Sequence, residues 1–376
     1  MKKYTLFNND GQKEMDEEEY TQWFFSTIHE HIFKKIEKGF NQKRDGIEKE
    51  LIGKFSSTRQ KKQCNCPCKD CNEKPIYSHS ISKKSVLANI ACNGSVYMPS
   101  IDKDIMTPIN ISNASIFPGF CKQHDNDLFP KLDNVNNVDF DNDFFSQLGA
   151  RTLAYEISHI KRTIRSLEML LKKLSSEYET STSSFLQKFS NGFYRKEVSY
   201  TEFYCSESRI NKIKPTILER IENEKGGLLF LNQEFLNSDN VFVQGIVFEK
   251  MIPIAFSGLC SFQLEDHVAY ILINCLPYKT QTIVSLHFSQ RDAHSIQSFL
   301  STFNLADENS SLRLIETLAV RGTRNIFFNI DYWNSLEEHI RNMFLCEFNN
   351  IEKSSINEAI DFSFLTWNWN NKESTK

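Results

Sequence analysis

The residues with the clearest chemical potential lie in "CNCPCKDCNEKPIYSHS", positions 64–80, where Cys64, Cys66, Cys68 and Cys71 crowd together and His79 follows. Thiolates at such density are soft donors suited to Zn2+. Cys68 and Cys71 are two residues apart, a gap that lets both sulfurs converge on one ion from a tight turn while backbone N–H groups point at them. A tetrahedral ion needs two more ligands, and "FPGFCKQHDNDLF" offers Cys121 and His124 with the same gap. Structural Zn2+ on Cys68, Cys71, Cys121 and His124 is therefore expected, with Cys64 or Cys66 able to replace Cys68. The opposing reading is that the two pairs are unrelated. Both, however, sit where the apolar pattern is thin, and a metal explains how such a segment holds its shape.

The chain around this cluster has ordinary composition. Its 376 residues allow two or three domains, and 40% hydrophobic with 24% charged residues is globular usage. A formal charge of −4 gives no global attraction to polyanions, so a nucleic-acid site must be a local patch. The N-terminal "MKKYTLFNNDGQKEMDEEEY" has no apolar run behind its basic start, and no stretch of about 18 apolar residues occurs. A cytoplasmic protein without a membrane span is expected, in which clustered cysteines bind metal rather than form disulfides. The abundance of Asn, Lys, Ile and Phe is what AT-rich coding favours.

The elements that must position these residues read as α+β and multidomain. Tyr20, Trp23, Phe24, Ile28, Phe33, Ile36 and Phe40 give residues 16–55 a helical period. Residues 64–145 are irregular, with short strands, a short helix at "SKKSVLANIA" and Asn/Asp-rich turns. From 147, Leu153, Ile157, Ile160, Ile164, Leu167, Leu171 and Leu174 form a heptad-like seam on a long helix, with Lys161, Arg162, Arg165, Lys172 and Lys173 opposite. Another amphipathic helix spans 206–224. Then the period changes to two: "VFVQGIVFE", "IPIAFSGLCSF", "AYILINCLPY" and "TIVSLHFS" read as strands, followed by helices at 292–304, 309–320 and 334–348. The expected division is a helical segment 1–60, a zinc module 61–145, a helical connector 146–225 and an α+β domain 226–376.

The order CxxC, a short apolar run ending in His79, and a CxxH opening a helix resembles the HNH, or ββα-metal, nuclease family over residues 64–130. The resemblance implies a ββα-metal fold in which His79 is the general base for phosphodiester hydrolysis. It implies that Asp125, after the last zinc ligand, holds a catalytic Mg2+ or Mn2+. Asn113 is the nearest counterpart of the residue whose carbonyl orients the base. The sequence departs from the family in two places: Ser78 stands where an acidic residue is usual, and the 42-residue separation of His79 from Cys121 is long.

Arg59, Lys61, Lys62, Lys83 and Lys84 flank the cluster and would face a DNA backbone, or equally form a solvated surface. His267, His287 and His294 accompany Cys260 and Cys275 in the C-terminal part; both cysteines lie in apolar strands, so core packing is the better reading. "RGTRN", 321–325, carries two arginines that would grip an anion or sit on the surface. No Walker A or Rossmann glycine pattern occurs. The expected function is metal-dependent endonuclease action on DNA, and its setting in AT-rich text suggests bacterial anti-phage defence. The C-terminal domain or long helix would choose a target or a protein partner. The alternatives are a non-catalytic zinc module that binds nucleic acid or protein, and an activity seated in the C-terminal domain.

Overall fold

The computed structural model describes residues 4–8, 11–15, 64, 71–100, 105–133, 139–189, 215, 217–229, 231–232, 235, 240–349 and 356–367. The expected helix at 16–55 and the bases Arg59, Lys61 and Lys62 lie outside them. The chain forms two units, one from 1–58 with 161–226 and one from 59–160 with 227–376. In the first, strands β1 (Tyr4–Asn8) and β2 (Gly11–Met15) pair antiparallel, and residues 217–226 are helical with Ile217 and Ile221 buried.

The larger unit is built on an antiparallel sheet of seven strands. Four are the strands that the period-two pattern predicts: β7 (Val241–Phe248), β8 (Ile254–Gln263), β9 (Val268–Tyr278) and β10 (Gln281–Ser289). The other three are β4 (Ser95–Ser100), β5 (Ile105–Asn110) and the short β11 (Ile326–Phe328), giving the order β5-β4-β11-β8-β9-β10-β7. Successive side chains of a strand point to opposite faces, and here both faces are covered. Ile254, Phe256, Cys275, Val284 and Phe328 enter one core. Ala255, Leu276, Ile283 and Phe327 enter the other. The register agrees, since Val284 pairs with Cys275, Ile283 with Leu276, and Ala255 with Phe327.

The first core is closed by α5 (Ala293–Ser301), α6 (Glu308–Arg321), α7 (Ile330–Ser335) and α8 (Glu338–Asn349), whose Leu300, Ile315, Leu318, Trp333 and Phe344 fill it. These helices bear out the predicted run of helices after the strands. The second core is filled by the segment that carries the cysteines. It takes Ile81, then Leu87 from a π-helical turn at Lys83–Leu87, Ile90 from α1 (Ala88–Ile90), Leu132 from α3 (Pro130–Asp133), and Phe144 and Leu148 from the long helix α4 (Asn142–Phe189). The fold is α+β, as expected, but the residues group differently from the four consecutive pieces. Tyr97 of β4 pairs with Phe328 of β11, so the segment 61–145 and the segment 226–376 share one sheet and one core. Among the described residues no helix is long and apolar enough to cross a membrane.

The seam of α4 packs inward within this unit, where Leu153 and Ile157 meet Leu231, Phe235 and Leu272. Cys260 and Cys275 are buried core thiols whose pKa values burial pushes far up, as the packing reading expects. The arginines of "RGTRN" are engaged within the fold. Arg321 pairs with Glu347 at 2.8 Å, and Arg324 lies over the Phe348 ring at 4.5 Å.

Two expectations follow from this packing. A Cβ on Gly149 of α4 would sit 2.5 Å from Nδ1 of the buried His287 on β10. Gly→Ala inside a helix ordinarily stabilises by about 0.5–1 kcal/mol, but overpacking costs about 1–3 kcal/mol. Gly149→Ala should therefore lower the urea midpoint, and a raised midpoint would show that the helix–sheet contact has slack. His267 Nε2 lies 2.9 Å from the buried Asp292 carboxylate, and Nδ1 lies 2.6 Å from Asp266. Asp292 first, then Asp266, raises its pKa above 6.5. The stabilisation is thus fully present below pH 6.5 and is lost as pH rises through the folded value. The difference in urea midpoint between wild type and His267→Ala should shrink across that rise.

Candidate metal centre and the His79 strand

Strand β3 (Tyr77–His79) pairs antiparallel with β6 (Ile116–Pro118), with His79 opposite Ile116 and Tyr77 opposite Pro118. Bonds from Ile76 N to Phe120 O at 2.7 Å and from Ser80 N to Ser115 O at 2.9 Å extend the ladder beyond both ends. After β6 the chain turns at Gly119 and enters α2 (Lys122–Leu128), with Cys121 as its N-cap. The result is two short strands and a helix in the order the resemblance implies. The residues between the strands supply α1, β4 and β5, so the long insertion is the segment that completes the sheet.

Cys64 Sγ, Cys71 Sγ, Cys121 Sγ and one His124 ring nitrogen all lie within 4.8 Å of one another. Sulfurs at about 2.3 Å on a tetrahedral Zn2+ are about 3.8 Å apart, and a sulfur and an imidazole nitrogen are roughly 3.6 Å apart. The observed edges match: 3.9 Å from Cys71 to Cys121, 3.4 Å from Cys64 to His124 and 3.3 Å from Cys121 to His124. A disulfide would require sulfurs at about 2.05 Å, and all of these cysteines are free thiols. The Cys121 N–H donates to Cys64 Sγ at 3.1 Å, and the His124 N–H to Cys121 Sγ at 3.5 Å. The His124 N–H is the largest influence lowering the Cys121 pKa, against the opposing effect of burial, and so favours the thiolate that a metal needs.

The expected ligands Cys71, Cys121 and His124 thus come together, and the described set is completed by Cys64, one of the two substitutes the spacing left open. Cys66 and Cys68 lie outside the described residues. The gap between Cys64 and Cys71 is longer than a knuckle's. Cys64 enters because it is buried where the Cys121 amide can reach its sulfur. The donor set, three thiolates and an imidazole with N–H groups on two sulfurs, fits Zn2+.

His79 is half-buried, and its Nε2 is shielded from solvent with no hydrogen-bond partner among the described residues. The backbone carbonyls of Ile111 and Ser112 act on the ring in the direction that favours its protonated form. Burial is the largest cause holding its pKa below 6.5; the Ile111 carbonyl opposes, and the charges of Lys83 and Arg151 lower it further. Burial thus favours the neutral imidazole, with Nε2 unbonded among the described residues. Asn113, expected to supply the orienting carbonyl, is instead an exposed turn residue whose N–H donates to Asn110 O, and the carbonyls that raise the His79 pKa are those of its two predecessors.

Asp125 lies in the first turn of α2, and its Oδ1 is buried with no partner among the described residues. Ser78 is buried and accepts the Phe120 N–H at 3.4 Å, so it closes the hairpin rather than facing a metal. Lys83 Nζ donates to Ser112 Oγ at 2.6 Å, and Lys84 is exposed. Arg151 was not singled out by sequence spacing. It is 3% exposed, stacks on Phe129 at 4.4 Å, and borders a cavity of about 20 Å³ with Ser80, Ser82 and Ser85. That volume holds one water molecule.

The tetrahedral edges predict one zinc per chain by metal analysis. Cys64→Ser and Cys121→Ser should each lose the metal and unfold at lower temperature. Cys68→Ser should keep it, because the four described donors already fill the coordination shell; zinc loss in Cys68→Ser would overturn that assignment. Comparison of the chain with family models, with curated proteins and with solved structures found no match.

Proposed function

We propose that the chain is a metal-dependent, HNH-like endonuclease acting on DNA, with His79 as general base. The observation that carries the reading is the state of this imidazole. It ends a strand paired with the strand that leads into the candidate metal centre, burial holds the ring toward its neutral form, and its Nε2 has no hydrogen-bond partner among the described residues. In phosphodiester hydrolysis Nε2 would take a proton from water as the water oxygen bonds to phosphorus. The P–O bond to the leaving sugar then breaks, and that oxygen gains a proton from solvent. Lys83 and Arg151 supply positive charge around the base, which suits a polyanionic substrate in a chain of net charge −4.

The resemblance implies a hard divalent ion, and the orphaned Asp125 Oδ1 is an oxygen donor of the right chemistry. Asp125 would hold Mg2+ or Mn2+, which when bound offsets the charge that develops on the scissile phosphate. Anti-phage defence is the setting we assign to this activity, by association with its gene's AT-rich text alone.

A second reading, a zinc-stabilised module that binds nucleic acid or protein without cutting it, is favoured by one fact. The Nε2 atom is covered, so the attacking water reaches it only after neighbouring groups move.

Plasmid cleavage with Mg2+ or Mn2+ separates the two. The nuclease reading expects His79→Ala to cut at least about 100-fold more slowly, with zinc content unchanged. It also expects the wild-type rate to be flat near neutrality and to fall with acid below pH 6.5, because the base works only when deprotonated. Binding of DNA without scission by either protein would establish the second reading.

A further inference from the structure

The imidazole sits between two anchors of different kinds. On the N-terminal side of β3, Ile76 bonds to Phe120 next to the metal ligand Cys121. On the other side, Ser80 enters a knot of polar groups in the core of the seven-stranded sheet. Ser80, Ser257 and Asn325 are all at least 96% buried, at 1%, 0% and 4% exposure. Asn325 Nδ2 donates to Ser80 Oγ at 2.9 Å and to Ser257 Oγ at 2.8 Å, which uses both amide hydrogens. The Ser257 hydroxyl donates to Ser80 Oγ at 3.3 Å.

Asn325 is itself fixed from its backbone. Its N–H donates to Thr323 Oγ1 at 2.9 Å, and Thr323 Oγ1 donates to Ser257 O at 2.7 Å. The Ser257 N–H returns a bond to Asn325 O at 3.2 Å. Ser80 is held on its backbone side as well, through its bond to Ser115 O, and Ser115 Oγ bridges the N–H and carbonyl of Ile81. A strand of three residues has little ladder of its own to fix a side chain at its end. The polar row continues across the sheet, where Ser257 pairs with Asn274 and Asn274 Nδ2 donates to Ser285 Oγ at 3.2 Å; a buried polar network bonded in this way contributes one defined geometry more than it contributes stability.

We propose that Asn325 is a positioning residue for His79: acting through Ser80, the loop before β11 sets the orientation of the imidazole at the end of β3. The catalytic meaning of this device rests on the nuclease reading above, whereas the device itself does not. It makes the C-terminal part of the chain a structural half of the site, because β8 and the β11 loop hold the residue after the base. A ligand or partner that shifted this loop would reach the imidazole in two bonded steps.

The test is 15N-histidine NMR on the zinc-loaded full chain. The 9 histidines make assignment by His79→Gln practical. In wild type His79 should show a single tautomer at pH 7. In Asn325→Ala it should become a tautomer mixture, with its titration midpoint moved up toward 6.5 and one zinc still bound. Asn329→Ala serves as the control, since Asn329 is also buried but bonds to Ile90 O and Cys92 Sγ. It should lower the melting temperature and leave the His79 signals in place.

Should Asn325→Ala fail to fold, Ser257→Ala removes one arm of the knot and should produce a smaller change of the same kind. Native His79 signals in a folded variant would overturn the proposal. This readout needs no turnover, so an inactive wild type would sink the nuclease reading alone. Where the wild type does cut, Asn325→Ala should lower kcat by about 10- to 100-fold at unchanged KM.

Discussion

Convergence of three sulfurs and one imidazole nitrogen on a single point is the constraint from which the rest of the candidate site follows. The strands on either side of the hairpin are three residues long, and an isolated pair of that size is not stable in water. Helix α2, with seven residues, is also too short to persist alone. Zinc-finger peptides gain an apparent binding free energy on the order of 10 kcal/mol from one such ion, which is enough to order elements of this size. An ion on this cluster would tie Cys64 and Cys71 before the hairpin to Cys121 and His124 after it, with the strand bearing His79 between them.

The hairpin is nevertheless not a detachable module. The chain leaves β3 after His79, contributes β4 and β5 to the edge of the large sheet, and only then returns as β6. Its apolar residues, among them Ile81, Leu87, Ile90 and Phe117, are buried against Ala255, Leu276, Ile283 and Phe327. Burying a side chain of this size contributes about 1.5–3 kcal/mol, so a handful of them rivals the metal. Two independent sources of order therefore meet at one short strand: the four-donor cluster at its beginning, and sheet packing with the Ser80–Asn325 knot at its end.

Much of this was legible where a local pattern carries the information. The four C-terminal strands and the helices after them follow from period-two and period-3.6 spacing, because each of these elements buries a face. The pair Cys121 and His124 was legible because a two-residue gap is itself the geometry. That Cys64 joins the described set was beyond spacing, since it depends on its sulfur lying within reach of the Cys121 amide across the fold. Asn113 was chosen by side-chain type, but the groups facing His79 are main-chain carbonyls, which any residue provides. The grouping of segments was hidden because β4 finds its partner β11 more than 200 positions away. "RGTRN" drew notice for its arginines, yet its asparagine is the residue that reaches Ser80.

On the nuclease reading, the charges around His79 would serve two ends that usually conflict. A general base must be neutral at working pH, and a polyanion must be drawn to it. Lys83 and Arg151 favour the neutral ring because a second positive charge beside them is disfavoured. The same two cations raise the local potential for a phosphate in a chain whose net charge is negative. An acidic neighbour in place of Ser78 would have pulled the other way, holding a proton on the imidazole and repelling the substrate unless a cation sat between them. With a buried serine there, the charges of Lys83 and Arg151 act on His79 and both favour the neutral ring. On the nuclease reading, that leaves Asp125 as the oxygen donor through which a hard metal would enter.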